Sequence, residues 1–225
     1  MQRRTSHTGR SENRGDYHAA FVRRVHQLLE RGYQRMQPVK RFEFWHEEEI
    51  SGELGRHIDE VFDERGESWM RYYSLAPERH VDEPHLPPAK QRRGKRRKRL
   101  DFRFTCRPRK PTPVQRFIFE AKSLNQSGAA QLLDEDGLGR ILCGQYGRDD
   151  MSAGLLGYVQ NSTIAVRAEA LENELKEKPA DYGITPDGEC TRIRFTKGPS
   201  DTFRTKHRRG KLSDITVFTT LLLFR

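Results

Sequence analysis

The sequence has few of the features that mark secreted or membrane proteins. Only three cysteines occur in 225 residues, and they stand far apart at Cys106, Cys143 and Cys190. This set forms neither a disulfide framework nor a CxxC zinc site, which favours a reducing, cytoplasmic environment. No run of about 18 apolar residues exists, so no membrane-spanning helix is predicted. No apolar stretch follows the basic first residues, and we therefore expect no secretory signal.

Acidic residues are scarce in one part of the chain, where basic residues are concentrated. The whole sequence has 42 Lys and Arg against 32 Asp and Glu, a net charge of +10. Residues 90–110 alone have a net charge of +11, so the rest of the chain is close to neutral. Such a segment suits a polyanion, of which nucleic acid is the commonest; the alternative is a solvated charge run or a localisation signal. We expect eight side chains to contact nucleic acid: Lys90, Arg92, Arg93, Lys95, Arg96, Arg97, Lys98 and Arg99.

The remaining pattern predicts a domain that combines helices with a mixed sheet, of the α/β or α+β class. Apolar periodicity predicts helices at 17–36, 43–65, 125–147 and 161–178, and strands at 69–75, 99–105, 114–122, 154–160, 191–195 and 215–224. The chain then divides into a disordered basic tail (1–16), a helical extension (17–42) and a domain (43–225) with a basic loop at 84–99.

Two neighbouring predicted strands carry the residues that indicate chemistry. Side chains alternate along a strand, so Glu120 and Lys122 point the same way, and Asp101 joins them if the phenylalanines of both strands share one layer. Two carboxylates at this spacing suit Mg²⁺ or Mn²⁺. A lysine beside the metal can orient or deprotonate a water, or neutralise charge on a phosphate. The alternative is an ion pair of Asp101 with Lys122 on an exposed sheet face.

The Glu-x-Lys spacing is not specific by itself. It recurs at Glu174 and Lys176, inside a predicted helix with no acidic strand before it, where a solvated helix face explains both charges. Glu120 and Lys122 differ because they end a strand of apolar residues, where charges are unexpected unless they are paired or functional.

The arrangement Leu100-Asp101, about twenty residues, then Glu120-Ala121-Lys122 resembles the PD-(D/E)XK, or restriction-endonuclease-like, nuclease superfamily. The resemblance covers roughly residues 43–178 and departs from the motif in having Leu100 in place of proline. It implies an αβββαβ core, to which the two last predicted strands would be an addition. It also implies that Asp101, Glu120 and the backbone carbonyl of Ala121 bind the metal, and that Lys122 activates water or stabilises the transition state.

Members of this superfamily often add a glutamate from the helix before the sheet. Glu47, Glu48, Glu49 and Glu53 compete for that position in the predicted helix at 43–65. Glu47 is the best placed, since it falls within about 60° of the buried stripe of the helix. The alternative is a run of N-terminal glutamates that interacts favourably with the helix dipole.

Together these observations predict an Mg²⁺- or Mn²⁺-dependent endonuclease acting on DNA, with Glu47, Asp101, Glu120 and Lys122 as catalytic residues. The sequence leaves open whether the substrate is DNA or RNA, and whether the protein forms a homodimer or joins a larger complex. A bacterial restriction or antiviral defence role is implied by the resemblance only. The alternative is a non-catalytic nucleic-acid-binding protein, or a complex subunit, that keeps a nuclease-like fold.

Overall fold

The structure is a computed structural model that describes residues 9–37, 42, 44–64, 66–80, 99–107, 113–124, 128–198 and 200–225. Its fold is of the α+β class, a seven-stranded mixed sheet flanked by helices. The helices are α1 (Gly9–Met36), α2 (Glu47–Asp63), α3 (Ala130–Leu133), α4 (Leu138–Leu142) and α5 (Ile164–Glu177), with a 3₁₀ helix at Met70–Tyr72. The strands are β1 (Tyr73–His80), β2 (Arg99–Cys106), β3 (Gln115–Ser123), β4 (Ser152–Val159), β5 (Thr191–Ile193), β6 (Asp201–Arg209) and β7 (Leu212–Leu223).

The sheet has the strand order β1-β2-β3-β4-β7-β6-β5. The central pairs β3–β4 and β4–β7 are parallel, and the other neighbours are antiparallel. The predicted mixed sheet is confirmed. The chain after α5, however, forms three strands, β5, β6 and β7, where the sequence predicted two.

Each face of the sheet has its own hydrophobic core. On one face α1 and α2 pack against the fully buried phenylalanines of β2 and β3, which share a layer as their alternation predicts: Phe102, Phe104, Phe117 and Phe119. On the other face Ile118 of β3 and Leu155 of β4 pack with α3, α4 and α5. The helices of the two layers therefore approach β3 from opposite sides.

The missed strand, β6, is polar along much of its length. Its inward-facing Arg209 donates to the carbonyls of Ser213 at 2.7 Å and Gly147 at 2.9 Å. The buried His207 ring makes a 2.7 Å hydrogen bond with the Tyr182 carbonyl. These carbonyls satisfy buried polar side chains, which an apolar alternation in the sequence cannot reveal.

Two element boundaries differ from the prediction. Helix α1 begins at Gly9, so residues 9–16 of the predicted disordered tail are helical, and residues 1–8 lie outside the described chain. Strand β1 runs through Pro77, where the sequence predicted a loop; β1 is an edge strand, and proline is tolerated there.

The helix predicted at 125–147 was wrong, since this region forms the two short helices α3 and α4. Asp134 Oδ1 accepts the backbone N–H groups of Asp136 at 2.9 Å and Gly137 at 2.8 Å, which closes a turn between them. A Cβ atom at Gly137 would lie 2.3 Å from the Leu132 carbonyl oxygen, so the turn requires glycine. The turn places α4 beside the end of β3.

Among the described residues, no helix combines the length and the apolar character needed to cross a membrane.

Candidate active site

Strands β2 and β3 separate at one end of the sheet. Within the described residues their ladder ends at the pair Phe102 and Phe119. Strand β2 nevertheless continues its pairing with β1 back to Arg99, and β3 continues with β4 to Ser123. A gap therefore opens between two strands that are each held firmly on the other side.

Two carboxylates take the backbone donors of β3 that face this gap. Asp101 Oδ2 accepts the Ala121 N–H at 2.8 Å, and Glu47 Oε2 accepts the Ser123 N–H at 2.9 Å. In a strand the N–H and C=O groups of one residue point to the same neighbour, so the Ala121 carbonyl faces the gap as well. The side chains thus replace part of the missing strand pairing.

Lys122 lies between two carboxylates. Its Nζ is 3.1 Å from Glu47 Oε1 and 3.4 Å from Glu120 Oε1, so its ion pairs in the described structure are with these residues and not with Asp101. Burial lowers the pKa of the ammonium, but Glu47, Glu120 and Asp101 together outweigh burial and leave that pKa raised. Lys122 is therefore a protonated hydrogen-bond donor at neutral pH.

Glu120 is the most deeply buried of these groups. Its side chain is 1% exposed, and its Oε1 contacts a guanidinium nitrogen of Arg140 on α4. Its other oxygen, Oε2, is buried and has no hydrogen-bond partner in the described structure. A buried carboxylate oxygen without a partner is unfavourable, so a bound cation or a hydrogen-bond donor would stabilise this atom.

The raised pKa values of Glu120 and Asp101 also indicate that their charged forms lack stabilising partners. Burial raises the pKa of Glu120 to about 8, and the nearby Asp101 carboxylate adds to the rise against the opposing effects of Lys122 and Arg140. Burial also raises the pKa of Asp101 to about 6, although the Ala121 N–H stabilises the charged form. The ionised forms of both groups are thus under-compensated.

The four candidate glutamates of α2 have different environments, and only Glu47 among them faces β3. Glu49 Oε2 accepts the N–H of His46 at 2.8 Å and caps the helix, while Glu53 pairs with Arg56 at 2.8 Å. Glu48 is exposed. The structure therefore places beside Lys122 the glutamate that the helical periodicity favoured.

The start of α2 is held in place by the end of β4. Gln160 Nε2 donates to the carbonyls of Phe42 at 2.7 Å and Trp45 at 3.0 Å. One turn into α2, the buried Ser51 hydroxyl is 2.8 Å from the Tyr158 hydroxyl. These contacts fix the position from which Glu47 reaches β3.

Arg140 was missed by sequence reasoning. Its Nη2 donates to Asp136 Oδ1 at 2.6 Å, and its guanidinium carbon lies 5.8 Å from the centre of the Tyr146 ring. Tyr146 is only 1% exposed and belongs to the core. No signal in the sequence could identify Arg140, because the predicted continuous helix at 125–147 hid the turn that brings it to Glu120.

The basic segment (residues 90–99) lies between β1 and β2 in the sequence and includes the first residue of β2. Strand β1 pairs with β2 up to His80 and Arg99, two residues before Asp101. The end of β1 at His80 and the start of β2 at Arg99 therefore lie at the end of the sheet where the gap between β2 and β3 opens. Of the predicted nucleic-acid-binding residues, Arg99 begins β2, and the others lie outside the described chain: Lys90, Arg92, Arg93, Lys95, Arg96, Arg97 and Lys98.

Glu47, Asp101, Glu120 and Lys122 are together called the carboxylate site below. Within the described residues, no three His, Cys, Asp or Glu side chains stand close enough to form a ready-made metal cluster, and Lys122 and Arg140 both lie against Glu120. The chain matches no protein-family model, and comparisons with curated proteins and with solved structures gave no match.

Proposed function

We propose that this protein is a metal-dependent nuclease that hydrolyses phosphodiester bonds in DNA, with a restriction-endonuclease-like core. The observation that carries the proposal is the gap between β2 and β3, at which three carboxylates and a lysine from three separate elements converge. Structural ion pairs do not require two buried carboxylates with raised pKa values at the site of a broken ladder.

The order of elements supports this proposal independently. The chain runs α2, β1, β2, β3, the α3–α4 segment and β4, which follows the αβββαβ order of the superfamily that the motif resembles. Asp101 lies on β2, and Glu120 and Lys122 lie on β3, as that resemblance implies. The helix α1 and the strands β5 to β7 would be additions to the core.

The residues of the carboxylate site fit an Mg²⁺ or Mn²⁺ ion. Asp101, Glu120 and the Ala121 carbonyl offer the oxygen ligands that such cations prefer, and Glu120 Oε2 has no hydrogen-bond partner among the described residues. A divalent cation held there would polarise a phosphate and lower the pKa of a bound water.

The chain's own residues have distinct roles in this proposal. Lys122 is protonated, so it would orient the attacking water or donate to a phosphate oxygen as negative charge develops. Glu47 accepts from both Lys122 and the Ser123 N–H, and would hold that ammonium in position. Asp101 fixes the backbone of Ala121 by its 2.8 Å hydrogen bond.

The basic segment would hold the substrate without reading its sequence. Residues 90–99 contain eight Lys or Arg and no acid, and in the sequence they lead into β2, two residues before Asp101. Contacts to phosphates position a protein on nucleic acid, whereas base contacts specify the sequence. A role in restriction or antiviral defence stays a prediction from the resemblance.

The test is cleavage of defined substrates by the purified protein. Supercoiled plasmid, linear duplex, single-stranded DNA and RNA would each be incubated with Mg²⁺, Mn²⁺ or EDTA. We expect metal-dependent cleavage of DNA by the wild type and none by Glu120→Gln, with Glu174→Gln on α5 as the matched control. Binding of nucleic acid without cleavage in any metal would instead support the non-catalytic alternative.

A further inference from the structure

Glu120 already has a cationic partner that the proposed chemistry does not use. Arg140 contacts Glu120 Oε1, and a second guanidinium nitrogen, Nη2, donates to Asp136 Oδ1 at 2.6 Å. Its Nη1 is also 3.4 Å from the Tyr146 hydroxyl. The Arg140 side chain is 20% exposed, so its charge sits at the border between the carboxylate site and solvent.

This contact and a bound divalent cation make conflicting demands on Glu120. The guanidinium compensates the charge of the carboxylate through Oε1, which is part of the ligand that the metal would need. A divalent cation next to a guanidinium is also repelled by it, strongly so in a site shielded from water. Full coordination by Glu120 therefore requires Arg140 to withdraw.

The surroundings of Arg140 allow such a withdrawal. Asp136 lies four residues earlier, in the turn before α4, and its carboxylate is 71% exposed, so Arg140 keeps an anionic partner when it leaves Glu120. When all three carboxylates of the carboxylate site are ionised, the two cations beside them among the described residues, Lys122 and Arg140, leave one net negative charge. Without Arg140 the site would have two, which one divalent cation neutralises.

We propose that Arg140 is a resident counter-ion that competes with the divalent cation for Glu120, and that it thereby sets the metal concentration at which the site fills. This inference rests on the proposed metal-dependent function. Arg140 acts here as a positioning residue, because it holds Glu120 until the cation replaces it.

The test is metal binding in the absence of nucleic acid. Mn²⁺ would be titrated calorimetrically into EDTA-stripped wild-type protein, Arg140→Gln and Arg140→Lys. We expect Arg140→Gln to lower the Kd for Mn²⁺ by about tenfold, which corresponds to about 1.4 kcal/mol. Lysine keeps the charge but loses the planar fork, so Arg140→Lys should fall between the other two proteins.

Two further variants make the result specific. Arg192 pairs with Glu172 at 3.0 Å and with Asp201 at 3.7 Å, away from the carboxylate site, and Arg192→Gln should bind Mn²⁺ as the wild type does. Glu120→Gln should bind Mn²⁺ far more weakly. Circular dichroism would confirm that each variant is folded. If Arg140→Gln is not folded, Mn²⁺ binding by Arg140→Lys tests the inference instead.

The outcomes separate this inference from the proposed function. Equal or weaker Mn²⁺ binding by Arg140→Gln, with measurable binding by the wild type, would overturn the role of Arg140 and leave the metal site standing. Absence of Mn²⁺ binding by every variant would overturn both the inference and the metal-dependent nuclease.

Discussion

Asp101 accepts the backbone N–H of Ala121 at 2.8 Å, on the edge of β3 from which β2 has departed. The Asp101 carboxylate thus accepts the hydrogen bond that a carbonyl of a paired strand would otherwise accept. It also lies close to Glu120 and raises the pKa of that residue. Its structural role and its proposed role as a metal ligand depend on different properties of the side chain, since the first needs an acceptor and the second needs a charge.

Substitutions at Asp101 should therefore separate folding from cleavage. Asp101→Asn keeps a carbonyl oxygen for the Ala121 N–H, so the free energy of unfolding should change little while metal-dependent cleavage falls by at least about 100-fold. Asp101→Ala should also lose about 1–3 kcal/mol of stability, because the N–H is left without its partner. Urea unfolding and a plasmid assay would measure the two effects. Cleavage near the wild-type rate by Asp101→Asn would rule out a charged ligand there.

Lys122 should be needed for catalysis and not for folding. Lys122→Ala should lower cleavage by about 100- to 1000-fold, because no other described ammonium faces Glu47 and Glu120. Lys176 offers the same residue type in the same Glu-x-Lys spacing, but it pairs with Glu172 on the surface of α5. Lys176→Ala should cleave as the wild type does. Equal activity of the two variants would show that Lys122 serves structure alone.

The stability of the metal-free protein should fall as the pH rises above neutrality. Burial raises the folded-state pKa of Glu120 to about 8, so the folded protein holds a proton there that the unfolded chain has lost. Stability from this proton is complete below the ordinary glutamate pKa and is lost as the pH rises through about 8. The free energy of unfolding should therefore fall by about 1 kcal/mol per pH unit between about pH 7 and pH 8.5.

The two buried histidines His26 and His207 do not contribute to this pH dependence. Burial lowers the pKa of His26 to about 4 and also lowers that of His207, so both rings are neutral above pH 7 in the folded protein.

Thermal unfolding in EDTA would measure how the stability changes with pH. Glu120→Gln should flatten this pH dependence, and Mn²⁺ should restore stability to the wild type at the upper end. A stability profile that rises with pH in EDTA would contradict this assignment.

The basic segment should determine how strongly duplex binding depends on salt. Each phosphate that it neutralises adds about 0.9 to the slope of log K against log salt. If four of its eight basic side chains reach phosphates, replacing all eight with Ser or Gln should lower the slope by about 3.6. Binding would be measured from roughly 50 to 300 mM salt. A variant with Lys176 and Lys178 changed to Gln serves as the control, since both are exposed at the C-terminal end of α5, and its slope should be unchanged.

An unchanged slope in the first variant would assign the segment to localisation or to protein docking. Cleavage at saturating substrate should fall much less than binding in either case, because the carboxylate site is intact.

The parts of the site that could be predicted are those governed by local periodicity. Alternation along a strand brought Asp101, Glu120 and Lys122 to one place, and the helical repeat singled out Glu47. Arg140 could not be predicted, because its position depends on a turn built by Asp134 and Gly137. Strand β6 could not be predicted either, because its buried Arg209 is satisfied by carbonyls that lie about sixty residues away along the chain.

The parallel pairing of β4 with β7 has a consequence for biosynthesis. Strand β4 ends at Val159, and its partner begins only at Leu212, after α5, β5 and β6. During translation, a chain that has already paired β1 to β4 therefore exposes the open edge of β4 until the last strand emerges from the ribosome. Because β4 also contains apolar residues that are buried in the folded protein, among them Leu155 and Leu156, we expect the chain to be most prone to aggregation during this interval.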